Sequence, residues 1–337
     1  LHTLVIFWVY KVEKTGKDRA LQNDYLMHTC VENASREIDV DMEIPSVKYW
    51  ISRGDQEWWN LYGAQFPQGF PGVLQSVLST QRIPALPKSI RDAVRDKCIP
   101  YQSLAESVKA SPDDIDFLLP VYCGAKWPEF LDPVYLLSMW NHGLYLDHLS
   151  ECPKEVDRIA SAMGESLAVM HWAVGIDARE VEFGIGGAPE PRIQRITANE
   201  IKNVVEALGS RDLLPSTFEY VTGGVQKPRP LTKLWMLDFD KCRKITKDEE
   251  GTKMAVEAFF ATGPHYPRPN TKTEFEQKLW RSFKKAYLLQ GKKVLWKATT
   301  NHCPFKPGPF DTELPQKFID ALVVKNYKRK MNMHHAT

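Results

Sequence analysis

Apolar and polar positions alternate between two rhythms along this chain, and the change of rhythm divides it. Leu4 to Val12 is a short apolar run that reads as a strand, and Ile44 to Ile51 has the same character. Between them Leu21 to Val31 has helical spacing, with Leu21, Tyr25 and Cys30 on one side. The Gly63–Pro87 segment, rich in proline and glycine, reads as loops or an insertion. Leu118–Gly124 and Val134–Met139 read as two strands around a turn. Beyond them the pattern turns helical. Pro153 to His171 carries Val156, Ile159, Ala160, Met163, Leu167 and Met170 at a 3.6-residue period. Further helices are expected over Asn199–Leu208, Thr252–Phe260, Glu274–Gln290 and Leu314–Tyr327. The expected architecture is α+β and bilobal, with a small β-rich N-terminal lobe at 1–140 and a larger helical C-terminal lobe at 141–337.

One stretch interrupts the helical half. Leu234-Trp235-Met236-Leu237 runs straight into Asp238-Phe239-Asp240. Strand alternation would place both carboxylates on one side. There they would hold a metal, a guanidinium or an ammonium group, or lie solvated in a turn.

Charge adds a second asymmetry. The whole chain is close to neutral at +2, yet 241–300 holds fourteen Lys and Arg against six Asp and Glu. That local excess points to a polyanionic partner or to an ordinary solvated helix face. Lys278, Arg281, Lys284, Lys285, Lys292, Lys293 and Lys297 fall close together, with Trp280, Tyr287 and Trp296 among them. Lys325 to Lys330 is a second basic run. No apolar run reaches the roughly 18 residues of a membrane span. The six cysteines stand singly, without zinc-finger spacing. They read as free thiols in a reducing, cytoplasmic setting. His171, at the end of its helix, is a candidate acid or base or a helix cap. Arg82 and Arg268, beside prolines, are candidates for holding loops or touching RNA.

The order of Lys11, Asp24, Asp177, Glu182 and Asp238 resembles the protein-kinase and aminoglycoside-phosphotransferase architecture. That resemblance implies a lobe-linking pair at Lys11 and Asp24. It places Asp177 at the catalytic aspartate, Glu182 at the metal-ligating asparagine and Asp238 at the metal-ligating aspartate, with Mg²⁺ possible at Asp238. No glycine-rich phosphate loop stands before Lys11. The functions it implies are a small-molecule phosphotransferase using Mg-ATP, or an inactive kinase-like binding protein.

A second resemblance covers nearly the whole chain. Its residues are Leu21-Gln22-Asn23-Asp24-Tyr25, Gln81-Arg82-Ile83-Pro84-Ala85-Leu86-Pro87 and Val121-Tyr122-Cys123-Gly124. Leu167 to Trp172, Asp177 to Phe183, the Asp238 segment and His265-Tyr266-Pro267-Arg268-Pro269 complete them. On these the chain resembles a fungal family of unknown function described as "zinc finger protein", which includes arginine-containing cyclodipeptide synthases. The resemblance implies an aminoacyltransferase that joins arginine from arginyl-tRNA to a second residue from another aminoacyl-tRNA. The ester is already activated, so no ATP or other cofactor is implied, and neither a membrane nor DNA is an expected partner. Arginine recognition calls for carboxylates. Asp177, Glu182, Asp238 and Asp240 are the expected acidic site. Glu182, Asp238 and Asp240 would meet the arginine side chain, and one acid would serve as general base. The basic residues from Lys278 to Lys293 are the expected tRNA surface.

Overall fold

A computed structural model describes residues 8–14, 18–66, 75–98, 116–128, 139, 142–151, 153–189, 231–300 and 312–334. The fold is a bilobal α+β arrangement, with a small sheet near the N-terminus and a larger helical part. The expected helix over Asn199–Leu208 lies outside the described residues. So do the start of the first expected strand and nearly all of Val134–Met139.

Strands β1 (Trp8–Val12), β2 (Val47–Ile51) and β3 (Val77–Gln81) form an antiparallel sheet in the order β1-β3-β2. β3 corrects the reading of Gly63–Pro87 as loop alone. It is the central strand, and Val77, Leu78, Ser79 and Thr80 are all buried. A strand buried on both faces shows no alternation, and a short one hides among prolines and glycines. Helix α1 (Asp18–Glu37) extends beyond the expected span at both ends and sends Met27 and Val31 into the core. Two short helices, α2 (Gln56–Tyr62) and α3 (Lys88–Cys98), had no clear sequence signal.

A second sheet has the order β5-β4-β6-β7, from β4 (Leu119–Tyr122), β5 (Leu144–Tyr145), β6 (Glu182–Gly187) and β7 (Thr232–Leu237). It therefore takes strands from both sides of residue 140. β4 and β5 run parallel; the other pairings are antiparallel. Glycines conceal β6 in the sequence. At Gly187 an added Cβ would meet the Ala85 carbonyl at 2.4 Å, and the Gly187 N–H donates to the Pro84 carbonyl at 2.7 Å. The glycine admits the 82–87 segment against the sheet. Glu43, just after α1, exchanges backbone hydrogen bonds with Leu234 and Met236, so the N-terminal helix region is stitched to β7.

The helical part is built on α5 (Pro153–Val169) and α7 (Glu274–Thr300), with a single turn α4 (Leu146–Leu149) before them. Helices α6 (Glu249–Ala261) and α8 (Leu314–His334) pack beside them. All three C-terminal helices outrun their expected ends, because a helix continues on polar residues after its apolar stripe stops. An added Cβ at Gly164 would lie 2.4 Å from the Phe283 carbonyl, so glycine sets the spacing of α5 against α7. Gly164→Ala is expected to destabilise the protein by about 2 kcal/mol through this overlap, read as a lower urea midpoint.

Helix α5 passes into a π-helical turn, Met170–Val174, closed by Gly175 in the left-handed region at φ 79°. His171 within it is fully buried, and its Nδ1 lies 2.9 Å from the Tyr287 hydroxyl. Trp172 donates to the same hydroxyl at 2.9 Å. This settles His171 as a core residue rather than an exposed acid, base or cap. It also removes Tyr287 from the aromatics available to stack on RNA.

Candidate functional site

The site forms where α1, the first sheet and the end of β7 meet. Strand β1 presents Lys11 from its sheet face. Its Nζ donates to Asp24 Oδ2 and to Asp238 Oδ1, each at 2.7 Å. The Asp24 side chain, 2% exposed, is a hub, because its Oδ1 also accepts the Phe239 N–H at 3.1 Å. One residue earlier on α1, Asn23 Nδ2 donates to the carbonyls of Asp240 and Cys242 at 2.9 and 2.8 Å. Two adjacent helix residues thus clamp the turn that carries the acids. Phe239 is buried between them, with its ring 4.9 Å from His28. The expected pairing of Lys11 with Asp24 is present.

The expected strand alternation of Asp238 and Asp240 is not. β7 ends at Leu237, and Asp238 takes φ 64° in the left-handed region. That conformation costs little for aspartate compared with bulkier residues, and it turns the chain out of the strand. Asp238 therefore faces Lys11, while Asp240 sits in the following turn with Lys241 at 3.8 Å. Glu182 opens β6 opposite Leu237, at the rim of the same region. Burial raises its pKa, and the Asp238 and Asp240 charges raise it further. Burial likewise raises Asp240, with Asp238 adding to it. For Lys11, burial opposes the charge, but Asp24 and Asp238 outweigh it and the pKa stands above its ordinary value.

Asp177 stands apart from this group. Its side chain is fully buried and accepts Arg243 Nε at 2.7 Å, the Arg243 N–H at 2.8 Å and the Arg179 N–H at 3.2 Å. It fastens the 175–181 loop to the segment after the acidic turn, a connection continued by the Ile245 N–H to Gly175 carbonyl bond at 2.8 Å. The structure brings Glu182, Asp238 and Asp240 together and gives Asp177 a positioning role.

Beside the Lys11 cluster lies a half-open cavity of about 450 Å³. Val9, Leu78, Ile83, Leu118 and Leu237 give it apolar walls, and Lys11, Asp24, His28 and Asp238 line its polar side. An ion pair between Arg82 and Asp116 borders it. His28 and Asp116 had no sequence signal that set them apart, and Asn23 stood within the Leu21–Tyr25 motif without a role of its own. Arg82 and Arg268 both hold loops. Arg268 is half-buried, donates to the Phe259 carbonyl at 3.3 Å and packs 4.8 Å from the Phe259 ring.

Among the described residues no group of three or more His, Cys, Asp or Glu is arranged to hold a metal ion. Asp238 has one oxygen committed to the Lys11 ammonium.

The candidate tRNA residues lie on α7. Helical spacing brings Lys278, Arg281, Lys285 and Lys292 to one exposed face, with Lys293 at its margin, and Lys284 is half-buried off to the side. Lys278 pairs with Asp157 of α5 at 2.5 Å. Leu289 and Trp296, 68% and 66% exposed, share the face. Trp280 stacks on Phe283 and belongs to the packing. The second basic run is partly engaged: Lys325 and Arg329 lie over the Phe260 ring, and Lys330 donates to the Asn270 carbonyl at 2.6 Å.

A family model described as "zinc finger protein" matches residues 234–299, which take in the end of β7, the acidic turn, α6 and nearly all of α7. No curated protein and no solved structure is significantly similar to the chain. Among the described residues no helix is long and apolar enough to cross a membrane.

Proposed function

We infer that this protein is a tRNA-dependent cyclodipeptide synthase that joins arginine to a second amino acid. The observation that carries the reading is the group of carboxylates around Asp238, with Glu182 and Asp240 close enough for its charge to act on both. Lys11 forms its ion pairs with Asp24 and Asp238; among the described residues Glu182 has no ion pair, and Asp240 pairs with Lys241 at 3.8 Å. Burial chiefly raises the pKa values of Glu182 and Asp240, and the neighbouring Asp238 charge adds to the rise. A guanidinium, planar and always charged, is the side-chain cation best suited to bridge two such carboxylates. Glu182 and Asp240 hold the arginine side chain, with Asp238 completing the rim. The basic face of α7 supports a phosphate-rich partner, and its exposed Trp296 adds a surface suited to unpaired bases.

The chemistry needs no further reactant. The α-amine of one aminoacyl-tRNA attacks the ester carbonyl of the other. A C–N bond forms, the C–O bond to the ribose breaks, and the amine's proton ends on the released ribose oxygen. A second attack closes the ring and frees the second tRNA. Holding both acyl groups in reach contributes up to about 10 kcal/mol toward the barrier.

Expression in a bacterial host supplies charged tRNAs. Mass spectrometry of the medium is expected to find arginine-containing diketopiperazines, reduced at least tenfold by Glu182→Gln combined with Asp240→Asn. A medium without them, together with purified protein that consumes neither aminoacyl ester, would sink the reading. The kinase-like alternative is favoured by the Lys11–Asp24–Asp238 arrangement and opposed by the full engagement of Asp177. It requires a thermal shift with Mg-ATP.

A further inference from the structure

The cavity beside Lys11 presents a donor and an acceptor that the protein leaves unused. An ammonium group has three N–H donors. Lys11 gives one to Asp24 and one to Asp238, and among the described residues the third has no acceptor. Asp238 accepts through Oδ1, and its Oδ2 has no donor among the described residues. Both side chains line the cavity. The pairings Val9↔Thr80 and Lys11↔Leu78 put Val9, Lys11, Leu78 and Thr80 on one sheet face, which forms one wall. Leu118 and Leu237 contribute further apolar surface.

A ligand that satisfies this surface carries an ammonium next to a carbonyl oxygen, and an apolar body beyond them. An α-aminoacyl group with an apolar side chain has that composition. We propose that the cavity is the site of the second aminoacyl group, and that it selects a large apolar side chain. This rests on the cyclodipeptide reading. The carbonyl oxygen accepts the third N–H of Lys11, the α-ammonium donates to Asp238 Oδ2, and the side chain fills the space between Val9, Leu78, Leu118 and Leu237.

The placement gives Lys11 a catalytic role besides its structural pairing. When the arginyl amine attacks this carbonyl, negative charge grows on the oxygen that Lys11 already faces. The ribose oxygen leaves with the attacking amine's proton. For ring closure the second residue's ammonium must become an amine, and Asp238 Oδ2 is positioned to take that proton. Asp238 releases that proton to water, and the attacking amine's next proton passes to the second ribose oxygen as the C–N bond forms and the arginyl ester C–O bond breaks.

Two measurements on the full chain test the assignment. By ligand-observed NMR, L-phenylalaninamide and L-leucinamide are expected to bind. Binding should weaken at least tenfold for the N-acetylated amide, which lacks the ammonium, and for Val9→Trp, which narrows the slot at a partly exposed position. In the expression host, Val9→Trp is expected to shift the ratio of large to small second residues among the arginine diketopiperazines at least tenfold toward small. An unchanged ratio overturns the proposal. So does Val9-dependent binding of adenosine with no binding of the amides, which would make this a nucleoside site. Val9-dependent amide binding with no diketopiperazine and neither aminoacyl ester consumed would refute the cyclodipeptide reading and leave the cavity as a site for an apolar α-amino carbonyl ligand. Lys11→Met, expected to lower product at least 100-fold, adds the catalytic arm if that variant folds.

Discussion

Moving from pH 7 to pH 5 is expected to cost the folded protein about 4 kcal/mol. His171 is fully buried, and burial lowers its pKa to about 3. Burial lowers His265 to about 4; its Nδ1 lies 2.8 Å from the Val121 carbonyl. Both stay neutral in the fold at pH 5, whereas in the unfolded chain both take up protons as the pH falls through about 6.5. The unfolded state then binds more protons, so stability is present above that pH and is lost below it. Each histidine accounts for about 2 kcal/mol of the loss by pH 5. His28 and His148, lowered chiefly by burial, act in the same direction. Glu182 and Asp240 act in the opposite direction, since their folded pKa values are raised and protonation relieves them. Their partial exposure keeps that offset small. Urea midpoints at the two pH values check the sum. Stability that does not change between them would show that these rings are not sealed from water.

Asp24→Leu is the second large effect, with an expected loss of about 3 kcal/mol. The substitution leaves the Phe239 N–H without its acceptor and strips Lys11 of its better-buried partner. Lys11 is 43% exposed and can recover water, so the loss falls short of that for a fully buried pair. Asp24→Asn keeps an oxygen for the Phe239 N–H and is expected to cost about half as much. The two variants separate the turn-clamping role of Asp24 from its charge. Equal losses in urea denaturation would assign the effect to charge alone.

The parts of the fold that the sequence made legible are those with one wet face. The stripe of α5 and the apolar sides of α6, α7 and α8 were evident because solvent forces polar residues onto the opposite side. β3 and β6 were hidden for opposite reasons. β3 is buried on both faces and has no alternation to read. β6 is built from glycines that serve the approach of residues 82–87, so its composition resembles a loop. The site was legible in pieces. Lys11, Asp24, Glu182, Asp238 and Asp240 do gather in one region. Asp177 does not join them, because its partner Arg243 lies 66 positions away and nothing local marks the pair. Strand alternation misplaced Asp238 relative to Asp240, since the strand ends at Leu237 and Asp238 itself takes the left-handed conformation that turns the chain. Asn23 was unreadable as a clamp: its work is done on carbonyls more than 200 residues downstream.

That long reach also sets an order of events during synthesis. Lys11 meets Asp238 across 227 positions, and Asn23 meets Cys242 across 219. A chain leaving the ribosome carries Lys11, Asn23 and Asp24 long before their partners exist. Contacts of such separation form late and slow the folding of the whole. The first sheet and α1 can gather early, but the acidic turn closes only after residue 242 has emerged. The Lys11–Asp24–Asp238 cluster thus assembles only on a chain that has passed residue 242, and a translation product that stops before it lacks the clamped acidic turn.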